Sequence, residues 1–117
     1  MRQRTVLLLE SEPVIALDLR TELEASGCQV FAAEDAQDAV QLSLQHEIDL
    51  AILNFRLKNT EDGLALASRM RLGSHTKLLF ITGANPQDIE PPVRLNTDYQ
   101  VLHKPFARRQ LQAVLLP

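Results

Sequence analysis

Asp49-Leu50-Ala51-Ile52-Leu53-Asn54 is the stretch that most limits what this chain can become. Four apolar residues in a row, closed by a polar one, suit a strand covered on both faces of a parallel sheet. Three other segments repeat the pattern. Val6-Leu7-Leu8-Leu9 runs into Glu10-Ser11-Glu12, Leu78-Leu79-Phe80-Ile81 into Thr82-Gly83, and Tyr99-Gln100-Val101-Leu102 into His103-Lys104-Pro105. In open α/β sheets, ligands sit beyond the carboxyl ends of the strands, where the strand order reverses. The four strands therefore deliver Glu10, Ser11, Asn54, Thr82 and Lys104 to one edge of one sheet.

Helix signals fill the intervals. After a first strand over Thr5 to Leu9, Ser11 is expected as a helix N-cap, with Pro13 in the first turn. Ile15, Leu19 and Leu23 form an apolar stripe, and Gly27 ends the helix. A second strand near Gln29 to Ala32 is less apolar, as an edge strand is. Asp35 then caps a second helix with Ala36, Val40 and Leu44 expected inward. Phe55 to Asp62 reads as a polar loop; Leu66, Ala67 and Met70 follow Gly63 on a third helix ending near Gly73. After a fourth strand from Lys77 to Ile81, Pro91-Pro92 leaves room for about one turn, so the fourth helix is expected to be short or irregular. A fifth strand near Gln100 to Leu102 precedes a last helix after Pro105, with Leu111, Val114 and Leu115 inward. This alternation predicts an α/β fold, a five-stranded parallel sheet of order 2-1-3-4-5 with helices on both faces. That order sets the ends of strands one and three side by side at the switch point.

The length of 117 residues suits a single domain over 1–117, and a net charge of −3 offers no field to attract nucleic acid. The lone Cys28 is expected to be a small buried hydrophobe. No apolar run approaches the roughly 20 residues of a membrane span. Met1-Arg2-Gln3-Arg4 leads straight into a strand and does not look like a signal peptide, so a cytoplasmic location is expected.

The four strand-end segments, in this order and over almost the whole chain, resemble the signature segments of the response-regulator (CheY-like) receiver domain. The resemblance implies a flavodoxin-like fold used in bacterial two-component signalling. In that family an aspartate after strand three accepts a phosphoryl group from a phosphohistidine. An acidic pair after strand one and a backbone carbonyl two residues past the acceptor hold Mg²⁺. A Thr or Ser after strand four and a Lys after strand five grip the phosphoryl group.

This chain keeps part of that set. Glu10, Thr82 and Lys104 match; Ser11 replaces the second acid, and Asn54 stands at the phosphoacceptor position. Arg56 would supply the metal-contacting carbonyl, Lys58 stands near the family's loop proline, and Val101 occupies the aromatic switch position, with Tyr99 nearby. An amide cannot attack phosphorus as a carboxylate does, so Asn54 cannot form an acyl phosphate. Mg²⁺ favours anionic oxygens, and Glu10 alone remains of the family's carboxylates. No cofactor is expected, and Mg²⁺ binding is expected to be weak or absent.

Each residue also has a plainer reading. Ser11 suits a cap, Asn54 a loop hydrogen bond, and Thr82 a turn before Gly83. Glu10 is expected to pair with Lys104. His103 reads as a strand-end residue, His46 and His75 as surface residues, and Arg108-Arg109 as a solvated face. The chain is therefore read as a pseudo-receiver in a phosphorelay, not an enzyme. Its expected partners are a histidine kinase, a phosphotransfer protein or another signalling protein, with a homodimer also open. The rival is a receiver that still performs metal-dependent phosphoryl transfer through Glu10 or Ser11. A flavin or nucleotide binder lacks its glycine motifs here. DNA binding is disfavoured by the net charge of −3, and no helix-turn-helix pattern is expected after the last helix.

Overall fold

The computed structural model describes residues 3–54, 63–73, 75–83 and 99–115. The opening stretch becomes β3 (Leu50–Asn54), buried along its whole length. It lies between β1 (Thr5–Leu9) and β4 (Lys77–Thr82), with β2 (Gln29–Ala32) and β5 (Tyr99–His103) at the edges. All four pairings are parallel, in the flavodoxin-like order β2-β1-β3-β4-β5.

Alternation along the strands makes two apolar layers. Val6, Leu8, Ile52, Leu79, Ile81 and Leu102 pack beneath α1 (Pro13–Ala25) and α4 (Arg108–Leu115), which contribute Leu19, Leu23, Leu111 and Val114. Leu7, Leu9, Leu53, Leu78 and Phe80 pack beneath α2 (Ala36–Gln45) and α3 (Gly63–Arg69), with Ala39, Leu66 and Ala67 from the helices. Cys28 is buried in the first layer as expected, and burial pushes its thiol pKa up. Each large aliphatic side chain so covered contributes roughly 1.5–3 kcal/mol.

The helix ends follow local chemistry. Gly27 takes φ +90° after α1, and the N–H groups of Gly27 and Cys28 close on the carbonyls of Glu24 and Leu23 at 3.0 Å each. This is a Schellman closure that glycine permits without a Cβ penalty. Asp35 caps α2 as expected, its Oδ1 accepting from the Asp38 N–H at 2.8 Å.

Four expectations need correction. The N-cap of α1 is Glu12, not Ser11. Pro13, with its fixed φ, takes the first helical position, so the cap falls on the residue before it. The inward face of α2 is Ala36, Ala39, Val40 and Ser43, while Leu44 is 51% exposed. Ser43 occupies the place where Leu44 was expected because its hydroxyl accepts the Arg71 N–H at 3.2 Å and donates to the Val40 carbonyl at 2.7 Å. α3 ends at Arg69, before Gly73, whose N–H is taken by Thr76 Oγ1 at 3.1 Å. His46 is half-buried, its ring stacked on Phe31 at a centroid distance of 4.0 Å, rather than a free surface residue. The Phe55–Asp62 loop and the predicted short fourth helix lie outside the described residues.

The layers and the corrected α2 face predict a sharp contrast. Phe80→Ala, at a side chain with no exposure, should cost about 3–5 kcal/mol. Leu44→Ala should change stability by less than about 0.5 kcal/mol. Urea unfolding of both variants checks this.

Candidate functional site

Parallel register brings the strand-end residues together. Leu9 pairs with Leu53, Asn54 with Ile81 and Thr82 with His103. The residues just beyond therefore crowd one edge, and the Lys104 N–H closes on the Thr82 carbonyl at 2.9 Å. Glu10, Asn54 and Thr82 are all buried; Ser11 is exposed and Lys104 half-buried. The five described residues expected at this edge are all there. Arg56 lies outside the described residues.

Two contacts organise the edge. The Lys104 ammonium lies 2.6 Å from Glu10 Oε1 and 3.0 Å from Glu12 Oε1. The Glu10 side chain is only 1% exposed, so this is a buried ion pair, whereas Glu12 is 61% exposed and adds a weaker partner. Asn54 Nδ2 donates to Ser11 Oγ at 2.9 Å, which joins the end of β3 to the turn after β1. The expected Glu10–Lys104 pair is present; Ser11 serves Asn54 rather than the helix cap. Burial of the ammonium works against its charge, but the hydrogen bonds and charges of Glu10 and Glu12 outweigh it and raise the Lys104 pKa.

Glu12 was missed as a site residue. It follows Glu10 by two positions and precedes Pro13, and that spacing was the available signal. As the N-cap it makes no side-chain cap bond, because its carboxylate turns to Lys104. Beside it a cleft of about 700 Å³ runs between α1 and α4, lined by Glu12, Ile15, Asp18, Lys104, Phe106 and Leu111. It opens next to the edge rather than over Asn54. Arg108, expected as part of a solvated face, is exposed yet paired with Glu22 Oε2 at 3.0 Å, joining α4 to α1. Val101 is half-buried with Tyr99 against the α2–α3 layer, and the Tyr99 ring meets Phe80 edge-on at 5.6 Å.

Among the described residues the donor set is a poor match for Mg²⁺. One oxygen of Glu10 is taken by an ammonium, and Ser11 Oγ already receives the Asn54 amide. Among the described residues Glu10 Oε2, which is buried, meets no hydrogen-bond partner, and it is a single anionic donor where Mg²⁺ calls for a fuller oxygen shell. Among the described residues no three His, Cys, Asp or Glu side chains come together to hold a metal.

Comparison with known proteins gives a consistent picture. Residues 6–116 match the family model described as the response regulator receiver domain. The chain is 31% identical over 112 residues to the aerobic respiration control protein ArcA of Escherichia coli K12, covering 95% of this chain and 46% of that protein. It is 30% identical over 105 residues to the transcriptional regulatory protein PdtaR of Mycobacterium tuberculosis H37Rv, covering 89% and 51%. The chain thus spans about half the length of these curated relatives. Among solved structures, the response regulator receiver protein from Sinorhizobium medicae WSM419 superposes with a TM-score of 0.83 at 23% identity, covering 97% of this chain and 91% of that one. The signal receiver domain of an HD domain-containing protein from Pseudomonas fluorescens Pf-5 gives 0.77 at 27% identity, covering 97% and 92%.

The ion pair generates a stability prediction. Lys104→Met leaves Glu10 buried and unpaired and should cost about 3 kcal/mol, with Lys104→Met/Glu10→Gln recovering most of the loss. Glu12→Gln should cost less than about 1 kcal/mol. Because the folded-state pKa of Lys104 is raised, its contribution is complete below the unfolded lysine value near pH 10.4 and fades as pH rises through the higher folded value. The stability gap between parent and Lys104→Met should stay constant from about pH 7 to 9 and narrow only above about pH 10.4. Denaturant titrations at several pH values read it directly.

Proposed function

The chain belongs to the response-regulator receiver family, and on that premise we propose that it is a degenerate receiver that signals by protein contact without aspartyl phosphorylation. Receiver domains are signalling domains that interact with histidine kinases and other signalling partners. The observation that carries the degenerate reading is the state of Asn54. An amide holds the acceptor position, buried, with its nitrogen donated to Ser11. An amide offers no anionic nucleophile, and no acyl phosphate can form on it.

The surrounding groups support the same reading. The lysine that would grip a phosphoryl group is held by Glu10 and Glu12. The reduced oxygen set favours weak or absent Mg²⁺ binding. Val101 in place of an aromatic residue disfavours the usual coupling from Thr82 to the β5 face. The partner is then a histidine kinase, a phosphotransfer protein, another signalling protein or a second copy of the chain. No helix among the described residues is long and apolar enough to cross a membrane, and a cytoplasmic place of action agrees with that.

Treatment with acetyl phosphate and Mg²⁺, followed by intact-mass measurement, tests the reading. The parent should gain no acid-stable or hydroxylamine-labile phosphoryl group. Ser11→Asp/Asn54→Asp, which restores the acidic set, should gain one on Asp at position 54. A stoichiometric phosphoryl mass on the parent, mapped to Glu10 or Ser11, would establish the rival phosphoryl-transfer reading instead.

A further inference from the structure

The misfit between this edge and a divalent cation has a definite physical source. Glu10 is a carboxylate withdrawn almost wholly from water, and such a group persists as an anion only beside a compensating charge. In the described part of the molecule that charge is the Lys104 ammonium, 2.6 Å from Glu10 and 3.0 Å from Glu12. Asn54 is neutral, so no acceptor carboxylate at the end of β3 competes for the ammonium. We infer that Lys104 is the resident cation of this site, standing in the electrostatic place of a metal ion and excluding one. The inference rests on the reading of a receiver that takes no phosphoryl group, and it adds the reason the edge is metal-independent.

Three features fit this assignment. The ammonium bridges the end of β1 to the N-cap of α1, the span a cation between Glu10 and Glu12 would neutralise. Its three donors match carboxylate acceptors without the fuller oxygen shell that Mg²⁺ requires. Glu10 Oε2, buried and without a hydrogen-bond partner among the described residues, leaves donor capacity unused while the ammonium holds the other oxygen. Removing the ammonium should therefore expose a negative site with Glu10 and Glu12 as its anionic donors.

The test titrates MnCl₂ and MgCl₂, at matched ionic strength, against the parent, Lys104→Met and Lys104→Met/Glu10→Gln. The parent should show no saturable melting shift. Lys104→Met should gain on the order of 3 °C or more in about 10 mM Mn²⁺, the rise expected at several times Kd. The double variant should lose that gain. A folded Lys104→Met with no metal response overturns the inference, as does a parent that already responds. Should Lys104→Met fail to fold, Lys104→Gln serves in its place, and a second readout needs only the parent. The ¹H–¹⁵N signal of the Lys104 ammonium should be unmoved by about 20 mM Mg²⁺, and a saturable change in it overturns the inference. Failure here is separable from failure of the proposed function. Phosphoryl mass on the parent defeats the degenerate reading whatever the metal does, whereas a metal-insensitive Lys104→Met in an unphosphorylated protein defeats only the resident cation.

Discussion

Covering β1, β3 and β4 on both faces is the constraint from which the rest follows. A strand with helices above and below it has no solvent-facing side, so nearly every residue along it must be apolar. Leu7, Ile52, Leu53 and Phe80 meet that demand with essentially no exposure. Polar groups can then enter only at the strand ends. Because all five strands run the same way, the polar residues that follow them gather at one end of the sheet. Glu10, Asn54, Thr82 and Lys104 are neighbours for that topological reason, although the chain separates the first from the last by 94 positions.

Once gathered, the buried members Glu10, Asn54 and Thr82 must find partners within the protein. Among the described residues the edge holds one buried carboxylate, one exposed carboxylate, one ammonium, an amide and two hydroxyl residues. The ammonium goes to the carboxylates and the amide goes to a hydroxyl. This division is self-consistent: with a neutral side chain at position 54, the opposite charges pair across β1 and β5. A charge at the end of β3 would compete for the same lysine. Asn54 and Ser11 are joined directly, the amide of one donating to the hydroxyl of the other.

The first helix is where the edge meets the surface. Its start is fixed by Pro13, its cap residue Glu12 reaches Lys104, and its Glu22 holds Arg108 of α4. The cleft between α1 and α4 therefore begins at the ion pair and is bounded by residues of both helices. Lys104 itself lines that cleft, beside Glu12 to which it is paired.

Much was legible in the sequence because it depended on repeating local patterns. The apolar runs located the strands, their alternation with helix signals gave the parallel order, and the strand-end positions identified Glu10, Ser11, Asn54, Thr82 and Lys104. The Glu10–Lys104 pair was also legible, since a buried acid after β1 calls for a compensating charge and the parallel sheet brings the lysine after β5 to the same end. Tertiary structure alone decided matters of direction. Whether Ser11 capped a helix or met Asn54 depended on where Pro13 set the first turn. Whether Leu44 or Ser43 faced inward depended on the Arg71 N–H that lies against α2. Glu12 entered the site because its side chain turned toward β5 instead of its own helix. Sequence spacing gives the level of a residue along the fold, but the choice among competing polar partners, and with it the inward position on α2, belongs to the packed molecule, where distance and desolvation determine which partner prevails.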